Sequence, residues 1–183
     1  IRNGADKNMF YYERKKLNEG QKFILVTHHW SFHKMKGWDI YSFLDSLLDR
    51  PEWKSKIEFH YIGNAPKYIK TKNIIFYQPC TGKQLADLIR ECHIYLTASI
   101  NEPAGMHHIE AALCGSPLLY RNSGALPEYC RGYGIMFNGK EDFEIKLGEL
   151  IKNYDLYSAK MPGYFYTSDR MCKEYLNLFQ NLL

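Results

Sequence analysis

Apolar positions along the chain fall into two alternating kinds of cluster. The first kind is a short continuous run, the length of a buried strand: Phe23-Ile24-Leu25-Val26, Ile74-Ile75-Phe76-Tyr77, His93-Ile94-Tyr95-Leu96-Thr97, Pro117-Leu118-Leu119-Tyr120 and Gly134-Ile135-Met136-Phe137. The more mixed Ile57-Glu58-Phe59-His60-Tyr61-Ile62 ends at Gly63-Asn64 and reads as a further strand. The second kind has helical spacing. Trp38 to Leu48 carries Ile40, Phe43, Leu44, Leu47 and Leu48; Gln84 to Cys92 carries Leu85, Leu88 and Ile89, with Thr81 placed as an N-cap. His107 to Cys114 is a helix ended by Gly115, and Glu141 to Lys152 is another. A terminal helix, Ser168 to Leu182, has Met171, Tyr175, Leu176, Leu178 and Phe179 as its apolar side. Strands that are apolar throughout and separated by helices predict an α/β fold of three layers, with a mostly parallel sheet covered on both faces. Ligands of such sheets lie beyond the carboxyl ends of the strands. The loops after Val26, Ile62, Tyr77, Thr97 and Tyr120 are therefore where chemistry is expected.

Length and composition narrow this picture only a little. A chain of 183 residues holds one full domain of this class. Its formal charge of +4 is mild, and the densest basic cluster, Glu13-Arg14-Lys15-Lys16, carries its own acid, so it reads as a solvated surface patch and no nucleic-acid partner is expected. Five cysteines without regular spacing predict reduced thiols, hence a cytoplasmic setting. No apolar run is long enough to cross a bilayer as a helix. Asn3-Gly4 has turn chemistry and residues 7–20 are charged and aperiodic. The expected division is a linker segment over 1–20 and a folded domain over 21–183 that includes the terminal helix.

Chemistry concentrates in the loop after Thr97, which runs Ser99-Ile100-Asn101-Glu102-Pro103-Ala104-Gly105-Met106-His107-His108-Ile109-Glu110. Glu110 sits in an apolar stretch, where a carboxylate is costly to bury unless hydrogen-bonded. Two ligand hydroxyls would satisfy it; so would a neighbouring backbone turn, with Glu102 left in solvent. The small residues Pro103-Ala104-Gly105 permit close approach to backbone N–H groups at a helix start, a setting that favours phosphate or sugar oxygens. His28, His29, His33, Cys92, His93, His107 and His108 match no standard zinc spacing, and of the adjacent His107 and His108 at least one is expected at the surface. No Gly-x-Ser-x-Gly elbow and no complete Gly-x-Gly-x-x-Gly after the first strand are present.

The motif Glu102 to Glu110, with Gly105 between and Glu110-Ala111 leading to Gly115, resembles the signature of glycosyltransferase family four (group 1), retaining enzymes of the GT-B fold. Further segments resemble that family in its own order. They are the linker Ile1 to Asp6 followed by Phe10, the Lys36-Gly37 step, the Ile62-Gly63-Asn64-Ala65-Pro66 turn and the Asn122-Ser123-Gly124-Ala125-Leu126-Pro127-Glu128 loop. The resemblance implies a Rossmann-like domain, one half of a GT-B fold, that binds a nucleotide diphosphate sugar of the UDP or GDP type. Glu110 would bind the ribose hydroxyls and Glu102 a hydroxyl of the transferred sugar. Lys36 would neutralise the departing diphosphate. The N–H groups of Ala104, Gly105 and Met106 would face sugar and diphosphate, and Gly63, Asn64 and the loop Tyr77, Gln78 and Pro79 would border the base. The family often places an Arg where Ser31 stands, so Ser31, His29 or Lys34 is the candidate for the second phosphate contact.

The implied reaction is sugar transfer with retention to a hydroxyl of an acceptor glycan or glycoconjugate, as in polysaccharide biosynthesis, with no metal and no cofactor. The acceptor-binding N-terminal lobe would precede this chain, so the chain alone would bind donor and transfer sugar poorly. The full-length protein would work in the cytoplasm, with contact to the cytoplasmic face of a membrane left open. Two rival readings are a GT-B type nucleotide-sugar epimerase and a non-catalytic nucleotide-sugar-binding module.

Overall fold

The computed structural model describes residues 1–182; Leu183, the last position of the expected domain, lies outside them. Six strands form one sheet: β1 (Phe23–His29), β2 (Ile57–Gly63), β3 (Ile74–Tyr77), β4 (Ile94–Thr97), β5 (Leu118–Arg121) and β6 (Gly134–Phe137). Their order is β3-β2-β1-β4-β5-β6, and every pairing is parallel, not merely most of them. The helices are α1 (Trp38–Leu47), α2 (Pro51–Lys54), α3 (Gly82–Arg90), α4 (His107–Leu113), α5 (Leu126–Cys130), α6 (Lys140–Lys152), α7 (Tyr154–Ser158) and α8 (Ser168–Gln180), with single 3₁₀ turns at Lys34–Lys36 and Met161–Gly163.

Successive strand residues point to opposite faces and fill two separate cores. Val26, Ile62, Tyr95, Leu118 and Tyr120 pack with Leu85, Ile89, Ile109, Ala112 and Leu126 on the face of α3, α4 and α5. Leu25, Phe59, Tyr61, Ile94, Leu96 and Leu119 pack with Ile40, Tyr41, Leu44, Phe143 and Leu147 on the face of α1 and α6. Burial on both faces is why β4 and β5 are apolar without alternation, while β2 alternates with Glu58 and His60 between its core residues.

Three short helices escape the apolar pattern. α2, α5 and α7 span 4, 5 and 5 residues, too few to display a 3.6-residue period. β1 is longer than its apolar run: Thr27-His28-His29 continue it in register with Tyr61, Ile62 and Gly63. Thr81 stands at the N-cap of α3, yet its hydroxyl makes no capping bond.

The reading of residues 13–16 as a solvated patch holds for Glu13, Arg14 and Lys16 and fails at Lys15, which is buried. Its Nζ donates to the carbonyls of Ile89 and Arg90 at 2.9 and 2.7 Å, closing the C-terminal end of α3. The opening segment also inserts Ala5 and Phe10 into the core, and Ala5 pairs with the chain at Thr167. α8 begins with Thr167 accepting from the Arg170 N–H, but none of its residues is buried; Tyr175, Leu176, Leu178 and Phe179 are all exposed.

Two glycines bring loops together at the carboxyl end of the sheet. Gly37 has φ 94°, and a Cβ there would collide with Ala98 after β4. Gly124 has φ 58°, and a Cβ there would collide with the backbone of Glu102. The Ala125 N–H donates to the Glu102 carbonyl at 2.8 Å, and the Ser123 Oγ accepts from the Asn101 N–H at 2.8 Å. Asn101 itself is left-handed, at φ 52°.

Two stability measurements follow from this packing. Gly124→Ala combines a left-handed backbone with overpacking against Glu102, and urea denaturation should show a loss of about 2–4 kcal/mol; unchanged stability would mean the loop is not pressed on Glu102. Burial pushes the Lys15 ammonium down to about 8 from an ordinary 10.5. Between those values the unfolded chain holds a proton that the folded chain has lost, so this group adds stability as pH rises through that window. The stability difference between the native protein and Lys15→Met should therefore grow in favour of the native protein from pH 7.5 to pH 10, by up to about 3 kcal/mol. A flat difference would show that Lys15 stays charged throughout.

Candidate functional site

Strand order reverses between β1 and β4: β2 and β3 extend the sheet on one side, β5 and β6 on the other. Chain leaving the carboxyl ends of β1 and β4 therefore turns away in different directions, and a crevice remains between. A cavity of about 380 Å³ occupies it. Of the residues singled out from the sequence, Lys36, Glu102, Glu110, Ser31, Gly63, Gly105 and Met106 line this cavity. Ala104, Asn64, Tyr77 and Gln78 do not. Ala104 is exposed and its carbonyl accepts from Asn3 Nδ2 at 2.9 Å. Asn64 spends its amide on the Trp30 carbonyl, at 2.7 Å, and so fixes the loop after β1. Tyr77 and Gln78 line a neighbouring hollow with Lys83 and Asp87, while the next residues, Pro79 and Cys80, line the cavity.

Both carboxylates are already engaged. Lys36, in the 3₁₀ turn before Gly37, donates from Nζ to Glu102 Oε2 at 2.8 Å, with the Glu102 side chain only 8% exposed. Glu110, in the first turn of α4, has Oε2 at 2.8 Å from His28 Nε2. The bland alternative for this pair, Glu110 on a backbone turn and Glu102 in solvent, does not describe the structure.

Three imidazoles, those of His28, His29 and His107, line the cavity. His29 is buried at the end of β1, with Nε2 2.8 Å from the Tyr41 hydroxyl and 3.2 Å from the Thr27 hydroxyl. Burial, then the neighbouring His28 and Lys36, hold it well below its ordinary range, so it is neutral at pH 7. His107 is buried with Nε2 2.9 Å from Thr97 Oγ1 and is likewise held well below its ordinary range, first by burial. His108 is fully buried against Tyr129, pushed down by burial to about 3, and neither ring nitrogen has a partner among the described residues. Neither His107 nor His108 is at the surface, contrary to the expectation for adjacent histidines, because α4 is covered on both these sides.

This burial narrows the candidates for a second phosphate contact. A neutral His29 is no cationic clamp, and Lys34 is exposed and does not line the cavity. Ser31 does line it, with Oγ accepting from the His33 N–H at 3.2 Å. Lys36 is thus the ammonium or guanidinium group of the lining among the described residues. No group of three or more His, Cys, Asp or Glu side chains there has an arrangement that could hold a metal ion.

Sequence reasoning missed His28 and Thr81 as lining residues, named His107 only as one of two histidines that could touch ligand from the first turn of its helix, and used His29 only as a possible clamp. Polar residues that prolong an apolar strand past its last hydrophobic position were the available signal for His28 and His29.

The family model for glycosyl transferases group 1 matches residues 55–161. A D-inositol 3-phosphate glycosyltransferase of Streptomyces bingchenggensis (strain BCW-1) is 41% identical over 54 residues, which are 30% of this chain and 12% of that protein. Among solved structures, the C-terminal domain of a glycosyl transferase group 1 family protein (LpcC) from Francisella tularensis superposes with a TM-score of 0.67 at 20% identity, over 88% of this chain and 95% of that one. The pneumococcal O-GlcNAc transferase GtfA, solved with UDP and GlcNAc, gives a TM-score of 0.70 at 15% identity, over 99% of this chain and 38% of that one. The chain thus spans about two fifths of that transferase, and its match covers about an eighth of the curated relative. At these identities the solved structures speak for the fold alone: a three-layer, all-parallel domain of the GT-B type. The family match covers more than half of the chain, and with it Glu102 and Glu110 on the β4 side of the crevice: the protein belongs to the group 1 glycosyl transferases.

Proposed function

We propose that this chain is the donor-binding half of a retaining glycosyltransferase that uses a nucleotide diphosphate sugar. The observation that carries the reading is the convergence of Lys36, Glu102, Glu110 and Ser31 on one cavity at the point where the strand order reverses. In this reading Glu110 accepts from the ribose hydroxyls, since one carboxylate can take two donors. Glu102 accepts from a hydroxyl of the transferred sugar and orients it. Cleavage of the sugar–phosphate bond leaves charge on the diphosphate, and Lys36 stabilises it there. Ser31 and the backbone N–H groups of Gly105 and Met106 supply further donors; none of these N–H groups donates to a backbone carbonyl among the described residues. Attack by the acceptor on the face from which diphosphate departs gives retention, with Glu102 an orienting group and not a nucleophile. The acceptor, glycan or glycoconjugate, is held mainly by a second lobe.

The arriving diphosphate competes with Glu102 for Lys36. Donor binding therefore replaces one charge-assisted bond of Lys36 by another, and the sugar hydroxyl takes over at Glu102. Asn64, Tyr77 and Gln78, outside the cavity, are left as contacts of the base rim at most, and Pro79 with Gly63 forms the part of the rim that lines the cavity itself.

Calorimetric titration with UDP, GDP, UDP-glucose and GDP-mannose tests the reading. Saturable binding of one nucleotide family is expected, weakened at least about tenfold by Glu110→Ala, the loss of hydrogen bonds to a charged acceptor. Absence of binding by all four would overturn it. Turnover of a nucleotide sugar to its epimer, without transfer, would favour an epimerase instead.

A further inference from the structure

The structure assigns His28 a role that rests on the donor reading above: it is a positioning residue that fixes the Glu110 carboxylate for the ribose of the donor. His28 is the last residue but one of β1, next to the strand-order reversal, paired in register with Ile62 of β2. Its side chain is 12% exposed and that of Glu110 18%, so the contact between them is largely sheltered from water.

Both ring nitrogens of His28 and its backbone N–H have partners within hydrogen-bond distance. The backbone N–H of His28 donates to the Tyr95 hydroxyl oxygen at 3.2 Å, so the phenol oxygen is already an acceptor there. The same oxygen lies 3.1 Å from His28 Nδ1. Tyr95 is fully buried, and burial holds its phenol well above the ordinary value, so it retains a proton to donate. The Glu110 carboxylate can only accept, so the proton of its contact with the ring stands on Nε2, and the Tyr95 hydroxyl holds the ring from the Nδ1 side. Nε2–H then donates to Glu110 Oε2 at 2.8 Å. His107, edge-on to the His28 ring at 6.2 Å between centroids, limits rotation of the imidazole from the side of α4.

Oε2 is thereby held, Oε1 has no protein partner among the described residues, and Glu110 lines the cavity. A free glutamate on a first helical turn would have to be ordered when the ligand arrives. Here its rotamer is set beforehand by a strand residue whose own orientation is set by the buried Tyr95. The conformational cost of ordering the side chain is then met in folding and not in binding. A leucine at position 28 would fill the space and release the carboxylate; a glutamine would keep an N–H donor near the Nε2 position.

The test reads ribose recognition as a ratio, which a general loss of stability does not move. UDP and GDP, and their 2′,3′-dideoxy forms, are titrated into the protein and into four variants. The native protein should bind the ribose form of its preferred nucleotide at least about tenfold more tightly than the dideoxy form, as expected for hydrogen bonds to a carboxylate. Glu110→Ala should bring this ratio close to one. His28→Leu should do the same, and His28→Gln should keep most of it. Tyr95→Phe, which leaves the imidazole in place without its orienting hydroxyl, should reduce the ratio severalfold and carries the test if His28→Leu does not fold. A full ratio in His28→Leu or Tyr95→Phe, with the ratio lost in Glu110→Ala, would overturn the role of His28 and leave the donor reading standing. A full ratio in Glu110→Ala, or no binding of either nucleotide, would overturn the ribose assignment of Glu110 itself, and the role of His28 with it.

Discussion

Parallel pairing of β1 with β4, through Leu25 with Ile94 and Val26 with Tyr95, sets two strands side by side whose onward connections diverge. After β1 the chain turns through the Lys34–Lys36 turn into α1 on one face; after β4 it runs through Asn101 and Glu102 into α4 on the other. The crevice between them is therefore lined from two faces of the sheet at once. That is why a lysine from the first turn and two glutamates from the later loop and helix meet in one cavity although they lie far apart in sequence. Arg121, from the end of β5, reinforces the arrangement: it grips the Asp39 carboxylate with two nitrogens, at 3.0 and 2.9 Å, and reaches the Ala98 carbonyl at 3.3 Å. One guanidinium thus ties the start of α1 to the end of β4, across the gap that Gly37 closes.

Electrostatics within the crevice are set by what surrounds each charge. Under the proposed function the cavity takes an anionic donor, which two carboxylates would repel if both stood unpaired. Glu102 is offset by Lys36, and Glu110 is hydrogen-bonded by His28. The remaining imidazoles do not add positive charge, because His29, His107 and His108 are neutral through burial. They act instead as polar packing: His29 and His107 find hydroxyl partners in Tyr41 and Thr97, whereas His108 finds none and contributes its ring to the aromatic contact with Tyr129.

Much of the architecture was legible because it follows from burial. The central strands β4 and β5 are covered on both faces and read as apolar runs for that reason; β2 was visible by its alternation, and the edge strands β3 and β6 by apolar runs of which Ile75, Phe76 and Met136 stay exposed. Helices α1, α3, α4, α6 and α8 were visible because each is long enough to show a period. What stayed hidden had no periodic trace. The length of β1 was obscured by Thr27-His28-His29, polar residues that are buried by tertiary contacts and not by their own hydrophobicity. Lys15 was hidden inside a charge cluster, since nothing in Glu13-Arg14-Lys15-Lys16 shows which of four side chains will reach the carbonyls closing α3. Glu102, Glu110 and Lys36 were legible through a motif; that the two carboxylates would be held by a lysine and a histidine was not, because those partners come from a different strand connection.

Preorganisation connects these points. The Glu102 backbone is pressed by Gly124, bonded by Ala125 and preceded by a left-handed Asn101, and its side chain is held by Lys36. Each constraint removes freedom that a ligand would otherwise have to remove. The constraints originate in different elements, the loop after β5 and the turn after β1, so no single one of them places the carboxylate. The same logic governs Glu110, held through His28 by Tyr95 at the heart of the sheet. A site whose side chains are fixed from the core outward can be completed by one domain. In the proposed reaction it follows that recognition of the donor belongs to this chain, and that the second lobe adds the acceptor to a site already formed.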